Sequence, residues 1–276
     1  MKWLHFILSH SIFIAFCAVS MAFQTAQLLH FSNSFFIYGF IFSATLCSYN
    51  FYWIVSRFSL AENVDIAGLV RKEVIAVLLL VFSAAALLFC LWQSAIPISF
   101  VITAVLLTII YSIPLLPFRF LLFTRRAGVL KTIVLALTWT YVTAFIPLQK
   151  TYLLLDNADL FIITRRFLFM LMLCIIFDSR DIVVDKIRGL HSLATDLKPF
   201  TLKLLIYSIF AVLFISNFFS RYYGITIYQS VALQISTLAL LIVYFYSTKK
   251  QGYLFYYFIV DGLMLFSALT TYIAGI

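Results

Sequence analysis

The chain has 276 residues, of which 64% are hydrophobic and 11% charged, with a formal net charge of +9. A soluble domain carries about 25% charged residues, and a chain this apolar can remove its surface from water only in a bilayer. Its Lys and Arg lie in short stretches between apolar runs, a placement that orients a membrane protein and excludes nucleic acid as a partner.

At 1.5 Å rise per residue, about 20 apolar residues cross a hydrocarbon core. In chain order such runs predict nine transmembrane helices, at 4–25, 34–56, 74–93, 96–113, 130–148, 160–177, 201–219, 225–247 and 253–274. Together they form one integral-membrane domain over 1–276. The expected fold is an all-α polytopic bundle, because lipid offers no partner for backbone polar groups and the ten-residue alternation of a barrel is missing.

The first run is longer than the 7–15 residue apolar region of a signal peptide and is followed by more membrane, so it reads as a span. Cys17, Cys47, Cys90 and Cys174 lie far apart within apolar stretches, as small buried hydrophobes do, without metal or disulfide spacing. Pro97, Pro114 and Pro117 fall at span ends and Pro147 closes the fifth span, where a missing N–H costs least. Tyr222, Tyr223, Tyr256 and Tyr257 fall near interfaces, as an aromatic belt would.

With the N-terminus inside, the cytoplasmic segments 57–73, 114–131, 178–203 and 248–252, with Lys2, hold fifteen basic residues. The other side holds four: Lys150, Arg165, Arg166 and Arg221. The bias sets the N-terminus in the cytoplasm and, after nine crossings, the C-terminus outside. The expected setting is a bacterial inner membrane.

Three of only ten acidic residues fall in Asp178-Ser179-Arg180-Asp181-Ile182-Val183-Val184-Asp185. Offsets of three and seven put these carboxylates on one face if the sixth span continues as helix. Such like charges repel, whereas a divalent cation turns the repulsion into a site, and Mg²⁺ characteristically bridges carboxylates to substrate phosphates. The other reading is a solvated loop neutralised by Arg180, Lys186 and Arg188. Charge at the membrane face is costly and tends to be functional. Arg125, Arg126 and Lys131 in one loop, with Lys198 and Lys203 in another, are positioned either to hold the diphosphate of an amphiphile or only to orient the chain.

The stretch Asp178-Ser-Arg-Asp181-Ile-Val-Val-Asp185-Lys-Ile-Arg-Gly189-Leu-His-Ser192-Leu193 resembles the second aspartate motif of the UbiA-type intramembrane prenyltransferases. In that family the pattern reads roughly D-x-x-D-x-x-x-D-x-x-x-G-x-x-[ST]-L. Upstream, Tyr111-Ser112-Ile113-Pro114-Leu115 leading to Gly128-Val-Leu-Lys131 resembles the family's connection between its fourth and fifth helices. The resemblance, which extends over essentially the whole chain, implies nine helices around a central cavity open to lipid. It implies transfer of an isoprenoid group from a polyprenyl diphosphate, held with Mg²⁺ by two aspartate motifs, to a lipid-soluble acceptor. Asp178, Asp181 and Asp185 would be the Mg²⁺ ligands, and Lys131 and Arg126 contacts to the diphosphate.

The first motif departs from the family's N-[DQ]-x-x-D-x-x-x-D. In Tyr49-Asn50-Phe51-Tyr52-Trp53-Ile54-Val55-Ser56-Arg57-Phe58, Asn50 matches but Ile54 and Phe58 stand at the two acidic positions. Arg57 is a substitute for the lost cation, since a guanidinium binds phosphate directly, and Glu62 and Asp65 are the nearest acids. Asp261, within the ninth span, is expected to be protonated, hydrogen-bonded or part of a cavity wall, and Tyr111 is a second cavity candidate. His5 and His10 show no metal spacing. Two readings follow: a prenyltransferase, or a catalytically impaired relative that binds an isoprenoid or lipid or serves as a membrane scaffold. A transporter is disfavoured by the lack of repeat halves.

Overall fold

The computed structural model describes residues 2–60, 74–94, 96–112, 128–188 and 191–276. Among them every regular element is helical. They are α1 (Lys2–Ser9), α2 (Ile12–Leu28), α3 (Phe35–Leu60), α4 (Val74–Gln93), α5 (Ile98–Ser112) and α6 (Gly128–Leu148). The central α7 (Asn157–Arg188) follows, then the short α8 (Leu193–Asp196), α9 (Pro199–Phe219), α10 (Ile227–Ser247) and α11 (Phe255–Ile273).

Six helices among the described residues are long and apolar enough to cross a membrane, or seven if the α1–α2 pair counts as one span. Each of the nine stretches expected to cross is helical over most of its described residues. Of the others, α5 is a shorter apolar helix, and the apolar run of α3 is interrupted by Ser43, Thr45, Ser48 and Asn50. The apolar faces of these helices suit contact with membrane lipids.

The first expected span is broken. α1 and α2 meet at 69°, because Ser11 adopts the left-handed conformation at φ 62°, which no straight helix accommodates. Trp3 and Phe6 of α1 face outward.

α7 lies at the centre of the bundle: every residue from Phe169 to Ile176 is buried. A helix buried all round needs no polar face. It is also longer than the expected 160–177, continuing as helix through the three aspartates. Arg165 and Arg166 are corrected by this placement. The charge count assigns them to the outer side although the expected sixth span contains both, and they lie buried inside α7 with 9% and 4% of their surface exposed. Neither meets a carboxylate among the described residues. The Arg165 guanidinium instead donates to Leu213 O (3.1 Å) and Ser216 Oγ (2.6 Å). One nitrogen of Arg166 donates to Met21 O, Gln24 Oε1 and Thr25 Oγ1 at 2.9–3.1 Å.

Lipid tails are as apolar as Leu, so helix association rests on close packing and on such polar links. Gln24 adds one between α2 and α11, donating to Ser267 O, Ser267 Oγ and Thr271 Oγ1 at 2.9–3.1 Å. Pro147 shows the same economy. It has no N–H for the carbonyl of Thr143 four residues back, and that carbonyl accepts from Thr25 Oγ1 at 2.9 Å instead. The turn before it, Tyr141–Phe145, is π-helical.

α7 opens on a reciprocal cap. Asp159 N–H donates to Asp156 Oδ1 (2.8 Å) and Asp156 N–H to Asp159 Oδ2 (3.1 Å), satisfying two of the orphan donors at a helix start. Lys150 Nζ closes the group, 2.6 Å from Asp159. The Asp159 hydrogen bond holds the Lys150 ammonium above the usual lysine range, and the Asp159 N–H holds the Asp156 carboxyl below the usual range.

Candidate functional site

A cavity of about 790 Å³ opens between α1, α2, α3, α5, α6, α7 and α11, with Ala76 of α4 at its edge, large enough for a drug-sized or larger ligand. Seven of the nine residues singled out in the sequence line it: Asn50, Tyr111, Lys131, Asp178, Asp181, Asp185 and Asp261. They come from five helices, so only the packing of the bundle brings them together. Arg126 lies outside the described residues, as do Glu62, Asp65, Arg125 and Gly189, and so do the side chains of Arg57 and Phe58.

The acids sit on continuous helix, and their surroundings differ. Asp178 accepts from Thr132 Oγ1 at 2.5 Å. The same hydroxyl oxygen accepts from the Leu193 N–H at 3.2 Å, so Thr132, 1% exposed, ties α6 to both α7 and α8. Gly128, one turn before Thr132, makes this approach possible. A Cβ there would stand 2.4 Å from Ser192 N and 2.5 Å from His191 C, inside any real contact. The motif tail is packed accordingly, with Ser192, Leu193 and Ala194 buried. Thr195 Oγ1 accepts from the Ser192 N–H at 2.8 Å.

Asp181 is engaged by its neighbour. Arg180 Nε and one terminal nitrogen donate to the two carboxylate oxygens, both at 2.7 Å, the forked pairing that suits a guanidinium. The Arg180 guanidinium also stands over the rings of Phe177, Tyr256 and Tyr257 at 5.1–5.2 Å, close enough for cation–π attraction. Phe177 and Tyr257 themselves contact edge to face. Asp185 is 7% exposed. Among the described residues no three His, Cys, Asp or Glu side chains converge as a ready ligand set.

On α3, Asn50 is 3% exposed and its Nδ2 donates to Leu46 O of its own helix at 2.8 Å. Tyr52 stacks on Tyr111 of α5 with ring centres 5.8 Å apart, and Tyr49 meets Trp139 of α6 edge to face. His5 of α1 contacts Tyr253, which stacks on Tyr257 at 4.3 Å, so α1 forms part of the wall. Away from these groups the lining turns apolar, with Ile14, Leu135, Met170, Leu173 and Met264. The space is amphiphilic. Its charged part carries four carboxyls against Lys131 and Arg180 among the described residues, an excess that favours a cation.

Thr132 and the aromatic enclosure of Arg180 had no signal in the sequence. Thr132 stands beside Lys131 in an ordinary apolar helix, and Tyr256 and Tyr257 are far from Arg180 in the chain. Searches against protein families, curated proteins and solved structures found no match to this chain.

Proposed function

We propose that the protein is a membrane prenyltransferase of the UbiA type, moving an isoprenoid group from a polyprenyl diphosphate to a lipid-soluble acceptor. In this reading the chain crosses the membrane nine times, in a bacterial inner membrane, with its N-terminus and motif loops cytoplasmic and its C-terminus outside. The observation that carries the proposal is that Asn50 and Lys131 share one cavity with Asp178, Asp181 and Asp185. That cavity also continues into an apolar region suited to a polyprenyl tail.

The chemistry divides between the two regions. Asp178, Asp181 and Asp185 would hold Mg²⁺, which supplies charge stabilisation to the leaving diphosphate. Lys131, with Arg57 and Arg126, would contact the diphosphate oxygens, and Asn50 would orient it by hydrogen bonding. Thr132 holds the Asp178 carboxylate in one position, and the buried Leu193 and Ala194 of α8 keep that wall in place. The apolar lining excludes water from the allylic carbon, so that the acceptor rather than water takes the prenyl group.

The second reading, a relative that binds an isoprenoid without turning it over, is favoured by a specific feature. Ile54 stands where a second carboxylate would be, and Asp181 is occupied by Arg180. Binding separates both readings from neither. The purified chain in lipid nanodiscs is titrated with a labelled geranylgeranyl thiolodiphosphate, a donor mimic that cannot ionise readily. Both readings predict Mg²⁺-dependent binding weakened at least tenfold by Asp181→Asn. Binding indifferent to Mg²⁺ and to that substitution would remove the site altogether.

A further inference from the structure

One acidic group in the cavity is unused by the diphosphate site. Asp261 belongs to α11, is 7% exposed and lines the cavity. It meets no hydrogen-bond donor and no ion-pair partner among the described residues. The charge that acts on it is Arg180, whose guanidinium is already committed to Asp181. A carboxyl kept at membrane depth without a partner costs several kcal/mol if ionised, so its retention calls for a ligand group that meets it. The backbone adds a second observation. Asp261 directly follows the π-helical turn Phe255–Val260, and such turns cluster at functional sites because the extra residue re-aims the side chains after it. Aromatic and polarisable groups line the same cavity, Tyr49 and Cys174 among them, and Phe13 approaches the adjacent Gly262.

We infer that Asp261 is the acceptor-binding residue of this cavity, taking a hydrogen bond from the hydroxyl of a neutral, ring-bearing acceptor. The charge that acts on Asp261 itself is Arg180, which disfavours an amine cation beside it even though the acids of α7 favour a metal cation, while the aromatic wall suits a ring. The inference rests on the transferase reading for its chemical step. In that step the hydroxyl oxygen's electron pair bonds to C1 of the donor and its proton passes to the departing diphosphate. The C1–O bond breaks with its electrons leaving on the diphosphate.

Binding tests the inference apart from turnover. The full chain in nanodiscs, with Mg²⁺ and geranylgeranyl thiolodiphosphate, is titrated with 4-butylphenol, with its methyl ether 4-butylanisole and with 4-butylbenzylamine. The phenol should bind about tenfold more tightly than the ether, the scale of one net hydrogen bond. That preference should shrink in Asp261→Asn and vanish in Asp261→Leu. Asp261→Leu should melt no lower than wild type, because it removes an unpartnered carboxyl; a lower melting temperature assigns Asp261 a structural role and overturns the inference. A phenol preference that survives Asp261→Leu, no preference in wild type, or tightest binding of the amine also overturns it. Diphosphate release from the intact donor is read in parallel. Its absence, with the Asp261-dependent phenol preference intact, defeats the transferase reading and leaves the acceptor site standing.

Discussion

Replacing Thr132 by Val tests how the acidic helix is held. The side chains are nearly isosteric, so the change removes one donor and one acceptor and little volume. The donor serves Asp178 and the acceptor serves the Leu193 N–H. Gly128 O lies 3.4 Å from the same hydroxyl, but a hydroxyl has one hydrogen, and the shorter bond to a carboxylate takes it. Losing a hydrogen bond to a charged group costs about 1.5–3 kcal/mol, and leaving a buried N–H unpaired costs about 1–3 more. Polar links in membranes measure toward the low end, so the expected loss is about 3 kcal/mol. At roughly 2–4 °C per kcal/mol for a chain of this order of size, Tm in detergent should fall by about 6–12 °C by scanning fluorimetry. Thr132→Ser, which keeps the hydroxyl, should fall by less than half as much. In an Asp178→Asn background the cost of Thr132→Val should shrink by about 1 kcal/mol, because the partner is then neutral. A Tm within 1 °C of wild type, or an equal cost in both backgrounds, would refute this reasoning.

Gly128→Ala is predicted to cost about 2 kcal/mol or more, since its Cβ meets backbone atoms that cannot move aside. Gly39→Ala, whose Cβ meets only the Cys90 Sγ at 2.8 Å, should cost less, and equal losses on a thermal melt would count against the close approach of α6 to α8. Arg166→Lys should retain most of the stability lost in Arg166→Ala, because all three of its hydrogen bonds come from one nitrogen; equal destabilisation of the two variants would contradict that geometry. The Asp156 carboxyl is held below its usual range by the Asp159 N–H. Its contribution is therefore present above about pH 4 and is lost as pH falls through the lowered folded value. The acid limb of Tm against pH should flatten in Asp156→Asn, and an unchanged limb would show that the cap does not titrate in that range.

The helical class and the rough positions of the long apolar helices were legible because those runs are long and bounded by polar residues, whereas the short α8 and the extension of α7 past residue 177 were not. The bend at Ser11 was not, since a single left-handed serine leaves no periodic trace. Nor was the way Arg165 and Arg166 are buried: the carbonyl and hydroxyl groups that receive their donors come from α2 and α9, far away in the chain. The spacing of Asp178, Asp181 and Asp185 correctly anticipated one continuous helical face. Their companions Lys131, Asn50 and Tyr111 could be grouped only by resemblance. Thr132 was invisible because nothing local distinguishes a threonine that binds an aspartate 46 residues away from one that only fills an apolar helix.

The central claim is that the acids of α7 and the cavity they line promote departure of diphosphate from a prenyl donor. Release of diphosphate from labelled geranylgeranyl diphosphate is therefore the most direct measurement, made with and without Mg²⁺ on wild type and on Asp178→Asn, Asp181→Asn and Asp185→Asn. The account predicts Mg²⁺-dependent release that falls at least about 10²-fold in each variant, the scale of one lost electrostatic contact in a transition state. No release by wild type, or release indifferent to all three substitutions, would contradict it.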